Sequence, residues 1–257
     1  MERDVHRLLK VLKLSAQIML ENGGETYRVE ETIQYMGRSL GVQEIESFAI
    51  PTGIYITVSI DGEDHQTIIK RINKRRVHLE RIHQVNTISR QISEHGITLE
   101  EAEERLEGIL NAPEQKQLQL LMYGGMTTAF FTALFGGSLF DFGVSFIIGL
   151  LIVLVNRKFD ALHSQHFASN LVNGGVIALV AAGSTALFDM GSFQAIILGA
   201  MMPQLPGLAM INAIRDTIRG DFVSGVARVA EVILISASLA IGSGVVMSFA
   251  YRYHWGI

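Results

Sequence analysis

The most concentrated chemistry in this chain lies in its last third. Asn212 and Asp216 are four residues apart, which sets them on one face of a helix, and Arg215 and Arg219 form the neighbouring row. Arg228 and Glu231 follow at a spacing of three. Long uncharged stretches flank these groups, and a charge at that depth is costly unless paired or wetted. Asp216, Arg228 and Glu231 therefore read as an ion-pair cluster or as a gate that couples proton transfer to movement, the plainer alternative being interfacial charges that set topology. Just upstream, Pro203-Gln204-Leu205-Pro206-Gly207 interrupts an apolar stretch. Each proline removes an amide donor and collides with the preceding turn, so a helix breaks there. Backbone groups freed in hydrocarbon must be satisfied by protein, water or ligand. Pro206 suits the first position of a second half-helix, whose unpaired amides favour a carboxylate. Pro203, Gln204, Pro206, Gly207 and Asn212, together with Asn173 from an earlier apolar stretch, are the candidate substrate-binding residues. A mere kink, with the asparagines bonding another helix, is the alternative.

Such groups have to be positioned by membrane-crossing helices. Mean hydropathy is +0.31 with 49% hydrophobic residues, too apolar for an ordinary soluble domain. Fifteen of the 21 Lys and Arg and 19 of the 25 Asp and Glu precede residue 118, so the net charge of -4 belongs to the N-terminal part. Uncharged stretches occupy 118–140, 142–156, 167–188, 190–214 and 232–251. A helix of about 20 residues crosses the hydrocarbon layer, which predicts five spans near 118–137, 139–156, 168–188, 192–214 and 230–251. Lys and Arg are retained on the cytosolic side; Arg157 and Lys158 mark the second connection and Arg215, Arg219 and Arg228 the fourth. The N-terminal domain is thus expected in the cytosol and the C-terminus outside, with Tyr251, Tyr253 and Trp255 as an interfacial anchor. Gly124-Gly125, Gly136-Gly137, Gly174-Gly175, Gly242 and Gly244 permit close helix packing in a bundle or oligomer.

Residues 1–117 read as an α+β cytosolic domain and 118–257 as a polytopic α-helical transmembrane bundle. Helical periodicity over 5–20 ends at Gly23-Gly24, and a second helix is expected over 25–40. Ile54, Ile56, Val58 and Ile60 alternate with polar residues, and Asp61-Gly62 is a hairpin signal leading to a strand near 66–70. Helices over 76–91 and 99–110 follow, the latter opened by Thr98 with Glu101 as a capping box. Pro113 marks the junction. The polar clusters of this domain are Glu25, Tyr27, Arg28, Glu30 and Glu31, and Pro51-Thr52-Gly53.

Several classes of chemistry are disfavoured. The chain has no cysteine, so thiolate catalysis and cysteine metal sites are excluded. No phosphate-binding loop is present, no triad spacing occurs, and the charge pattern does not suggest nucleic-acid binding. Asp160, His163 and His166 have a spacing that could hold a metal, but a solvated loop explains them better. No cofactor and no metal are expected.

The strings Gly23-Gly24-Glu25-Thr26-Tyr27-Arg28-Val29-Glu30, Pro51-Thr52-Gly53-Ile54, Pro206-Gly207, Ala213-Ile214-Arg215-Asp216, Gly220-Asp221-Phe222-Val223-Ser224-Gly225 and Ala227-Arg228 resemble the threonine/serine exporter (ThrE) family over nearly the whole chain. Full-length members carry about twice as many spans, so the chain resembles the YjjP-type half. The resemblance marks Gly24, Tyr27, Arg28, Glu30, Pro51, Thr52 and Gly53 as a cytosolic-domain motif. It implies export of a small carboxylate-bearing metabolite, threonine/serine or a dicarboxylate such as succinate. It also implies a smaller multi-span membrane partner of YjjB type, a homo-oligomer, or both. The leading expectation is a secondary transporter component of the inner membrane and not an enzyme. A membrane-tethered enzyme and a sensor or scaffold subunit are the alternatives.

Overall fold

The computed structural model describes residues 2–59, 65–113, 115–161, 166–253 and 255. Packing separates them into two compact units, Met1–Pro113 with Leu208–Val229, and Glu114–Gly207 with Ala230–Ile257. Where the sequence suggests a single cut near residue 117, packing groups 208–229 with the N-terminal residues. The reason is chemical: Asn212, Arg215, Asp216, Arg219 and Arg228 all find polar partners among residues 23–31.

In the first unit α1 (Glu2–Glu21) and α2 (Thr26–Ser39) are joined by the Gly23-Gly24 turn. Gly23 sits at φ +90°, a left-handed conformation that glycine adopts without strain. At Gly24 a Cβ would meet the Met19 carbonyl at 2.8 Å. Three antiparallel strands follow in the order β1 (Glu44–Ile50), β2 (Gly53–Ser59) and β3 (His65–Arg71). β1 is absent from the sequence reading, because Glu44, Glu46 and Phe48 face outward and leave little apolar alternation to detect. With Ile50 paired to Gly53, Pro51-Thr52 is the β1–β2 hairpin loop. The expected turn at Asp61-Gly62 and Ile60 lie outside the described residues. α3 (Leu79–His95) and α4 (Leu99–Asn111) complete the layer. Thr98 caps α4 by accepting from the Glu101 amide at 3.2 Å. The Glu101 carboxylate pairs with Arg105 one turn on, and among the described residues no reciprocal bond to the Thr98 amide is present. Leu12, Ile18, Met19, Ile33, Met36, Ile54, Ile56, Val85 and Leu106 form the buried core where helices meet the inner sheet face.

In the second unit α5 (Gln117–Leu134), α6 (Leu139–Ala161), α7 (His166–Phe188), α8 (Phe193–Met201) and residues 230–252 of α10 (Phe222–Arg252) pack around Ile148, Ile152, Ile177, Ala181, Ile196 and Leu239. α8 runs into a 3-10 turn, Met202–Gln204. Leu205 then becomes extended at φ -70°, ψ 135°, and α9 (Gly207–Ile218) begins. The helix break expected at the proline pair is present. Pro206 stands immediately before α9 and Gly207 is its first residue, a shift of one position from the expectation. Among the described residues three helices, α6, α7 and α10, are long and apolar enough to cross a membrane, and a fourth span arises if the broken α8–α9 pair counts as one. α5 falls short of that apolarity because Gln117, Gln119, Thr127, Thr128 and Thr132 dilute its 18 residues. Two of its threonines bond inward: Thr132 Oγ1 lies 2.7 Å from Ser145 Oγ, and Thr128 Oγ1 donates to the Ser145 carbonyl at 2.6 Å.

Asp141 is buried at the head of α6, where it accepts from the Ser138 amide at 2.7 Å and from the Ser192 amide at 2.9 Å. Helices α7 and α10 cross on glycine. A Cβ on Gly174 would collide with the Leu239 carbonyl, and one on Gly242 with that of Leu171. In an apolar environment, where packing replaces the hydrophobic effect as the driving force, such backbone approach is what joins helices.

Candidate functional site

Within the first unit the Gly23-Gly24 turn and the head of α2 grip α9 and the start of α10. Thr26, fully buried, donates from Oγ1 to Asp216 Oδ1 at 2.9 Å and to Asp221 Oδ2 at 3.2 Å. Asp216, 1% exposed, accepts on its other oxygen from Arg228 Nε at 2.9 Å. Arg228 extends Nη2 to the Gly24 carbonyl at 3.0 Å. One α9 carboxylate is thus shared between an α2 hydroxyl and an α10 guanidinium, and that guanidinium also holds the glycine turn. Asn212, one helical turn before Asp216, donates to the Gly23 carbonyl at 3.2 Å.

A second layer surrounds this core. Arg215 pairs with Glu25, which also has Arg28 Nε at 3.9 Å. The Arg219 guanidinium stacks 3.6 Å from the centre of the Tyr27 ring and reaches Glu31 at 3.3 Å. Burial, followed by the Glu25 carboxylate, raises the Tyr27 phenol above its ordinary range and keeps it neutral. Glu30 turns toward the sheet and accepts the Ala49 amide at 2.7 Å. Burial, with lesser repulsion from Asp221 and Asp216, raises the Glu30 carboxyl above the usual carboxylate range despite that hydrogen bond. Glu25 Oε2 and Ser224 Oγ are buried without a hydrogen-bond partner.

The α9–α10 corner is built for this convergence. Gly220, at φ +89°, turns the chain. Asp221 then caps α10 by accepting from the Ser224 amide at 3.2 Å. A Cβ on Gly225 would collide with Thr217 Oγ1, so only glycine brings the two helices this close.

The structure therefore unites Gly24, Tyr27, Arg28, Glu30, Asn212, Asp216 and Arg228. Among the described residues no hydrogen bond or ion pair joins Pro51, Thr52 or Gly53 to the network; the hairpin instead gives the Thr52 carbonyl to the Ile72 amide at 3.0 Å. Glu231 falls in the second unit. Asn173, Pro203, Gln204, Pro206 and Gly207 also belong to the second unit. Asn173 is fully buried in α7 and donates to Asn156 on α6 at 2.7 Å, while its own side-chain oxygen has no partner. Asp160 is described, whereas His163 and the side chain of His166 lie outside the described residues. Neither Thr26 nor Asp221 stands out as a site residue from sequence alone. The available signals were a threonine opening a helix after Gly-Gly and a Gly-Asp pair opening another.

Apolar helices able to cross a bilayer, joined to a unit rich in charge, define a membrane protein. The family model described as "Putative threonine/serine exporter" (ThrE) matches residues 10–250, and the chain belongs to that family. It is 25% identical over 251 residues to a Klebsiella aerogenes protein named "Probable succinate transporter subunit YjjP", covering 94% of this chain and 92% of that one. The Escherichia coli K12 protein of the same name is 24% identical over 247 residues, covering 93% and 91%. No solved structure matches the chain. Family membership supports a transporter of the membrane, in keeping with the apolar helices.

Proposed function

We propose that this chain is one subunit of a secondary exporter for a small carboxylate-bearing metabolite, threonine/serine or a dicarboxylate such as succinate. The buried Asp216–Arg228 pair serves as its cytosolic gate. The observation that carries this reading is the four-way clasp of Thr26, Asp216, Arg228 and the Gly24 carbonyl. It ties the soluble motif to the two helices that follow the proline break. A buried pair whose loss leaves an uncompensated charge has two well-separated states, paired and open, and suits a switch. Protonating Asp216 releases Arg228, which links proton movement to opening. Glu231, eleven residues before Gly242 in α10, is the alternative proton carrier.

In this reading five helices span the inner membrane at about 118–137, 139–156, 168–188, 192–214 and 230–251, and residues 1–117 face the cytosol. The C-terminus lies outside, with Tyr251, Tyr253 and Trp255 at the interface. Substrate meets the half-helix ends around Pro203, Gln204, Pro206 and Gly207, with Asn173 of the same unit as a further polar contact. A YjjB-type membrane subunit completes the pathway, consistent with the word subunit in the relatives' names. The test is efflux of labelled succinate, threonine and serine from proteoliposomes that hold this chain and its co-purified partner under an imposed proton gradient. Efflux that Asp216→Asn uncouples from the gradient supports the reading. Absence of flux with all three substrates, or full proton-driven flux in Asp216→Asn and in Glu231→Gln, overturns it.

A further inference from the structure

The segment that leaves β3 has no part in the gate, yet it is the most basic stretch of the chain: Lys70, Arg71, Lys74, Arg75 and Arg76 occupy five of seven positions. The overall acidic balance hides it. Arg71 and Lys74 are exposed and Lys70 half-buried; Arg75 and Arg76 have interactions of their own within the protein, so the first three carry the inference. Exposed hydrophobic residues flank the cations on both sides, Ile69 at 63%, Val77 at 59% and Leu79 at 60%. Ile69 also ends a row that crosses the sheet through Tyr55 and Phe48, 43% and 53% exposed.

The position of this strip gives it a partner. The Arg76 and His78 amides donate to the Glu21 and Asn22 carbonyls at 2.8 and 3.1 Å, which seats the strip along the turn that follows α1. The same turn gives its Gly23 and Gly24 carbonyls to Asn212 and Arg228 on α9 and α10. The parts of those helices that belong to this unit expose Leu208, Ile211, Ile218, Phe222 and Val226, and both helices contribute to segments long and apolar enough to cross a membrane. Cations flanked by apolar and aromatic tips, held one turn away from helices that enter a bilayer, are complementary to anionic headgroups over an acyl layer.

We infer that Lys70, Arg71 and Lys74, with Ile69, Val77 and Leu79, form a docking surface for anionic phospholipid that pins the soluble unit to the membrane. The inference uses the chain's membership of the membrane and not its substrate or coupling, so it stands or falls separately from the exporter reading.

The chain has no cysteine, so Val77→Cys accepts a single polarity-sensitive dye, with Ser39→Cys on α2 as the distant control. Full-length protein is placed in nanodiscs of phosphatidylcholine, with or without phosphatidylglycerol, containing lipids that carry a quencher. In the anionic discs the Val77→Cys dye is expected to shift to an apolar spectrum and be quenched, and the Ser39→Cys dye is not. Each Lys or Arg near an anionic surface contributes about fivefold, so K70Q/R71Q/K74Q lowers the docked-to-undocked ratio by roughly a hundredfold. Raising the salt concentration on the unsubstituted charges reproduces the loss without any change in folding. Equal quenching with and without phosphatidylglycerol, or insensitivity to both salt and the triple substitution, overturns the inference. A response to inorganic phosphate alone in neutral discs also overturns it, since the ligand is then a free anion.

Discussion

Arg228 is 6% exposed and Asp216 1%, and each owes its tolerable burial to the other. Breaking such a pair from one side costs about 3–5 kcal/mol, whereas replacing both partners by apolar groups is often neutral. Arg228→Leu is therefore expected to lower thermal stability in detergent strongly, and Asp216→Leu/Arg228→Leu to recover most of the loss while abolishing gated export. If the double variant is no more stable than Arg228→Leu, the pair is not the unit of stability. Thr26→Val removes the hydroxyl shared by Asp216 and Asp221 and should cost about 1–3 kcal/mol. Glu30 offers a pH-dependent check. Its carboxyl is raised in the folded state, chiefly by burial, so the folded protein holds this proton more tightly than the unfolded chain. That contribution favours folding at acidic pH and is lost as pH rises through the raised folded value. Glu30→Gln keeps an oxygen for the Ala49 amide and should be more stable than the parent at neutral pH, with the difference shrinking in mild acid. A melting series across that range measures it.

Helices α7 and α10 show at the next scale why composition alone undersells a glycine. Gly242 and Gly244 look equivalent in the sequence, yet a Cβ on Gly242 strikes the Leu171 carbonyl while one on Gly244 meets nothing within 4 Å. Gly242→Ala should destabilise by about 1–3 kcal/mol through overpacking. Gly244→Ala should be neutral or slightly stabilising, by up to about 1 kcal/mol, because helical propensity improves. Thermal melts in one detergent separate the two. The proline break was legible at this scale, because Pro203 and Pro206 remove donors wherever they stand. The first strand was not, since its outward residues are polar or aromatic and its partner lies beyond a two-residue turn. Pro203→Ala/Pro206→Ala should leave the protein folded and lower export if the break holds substrate. Unaltered flux would make the break a kink.

For the whole molecule, family membership and apolar helices support a membrane protein of the exporter family. On the exporter reading the chain alone gives no flux and a multi-span partner restores it. Efflux from vesicles holding this chain only would remove the need for that partner. The sequence alone determined the contrast between a charged N-terminal part and uncharged stretches, the helix break and the family strings. All of these follow from local composition or from backbone constraints that need no neighbour. The tertiary structure decided that residues 208–229 join the N-terminal unit and that Thr26 is the hydroxyl between two carboxylates. It also decided that Arg228 closes on Asp216. Thr26 and Asp216 are 190 positions apart. No periodicity links residues so distant, and only folding, which makes an unpartnered buried charge intolerable, brings them together.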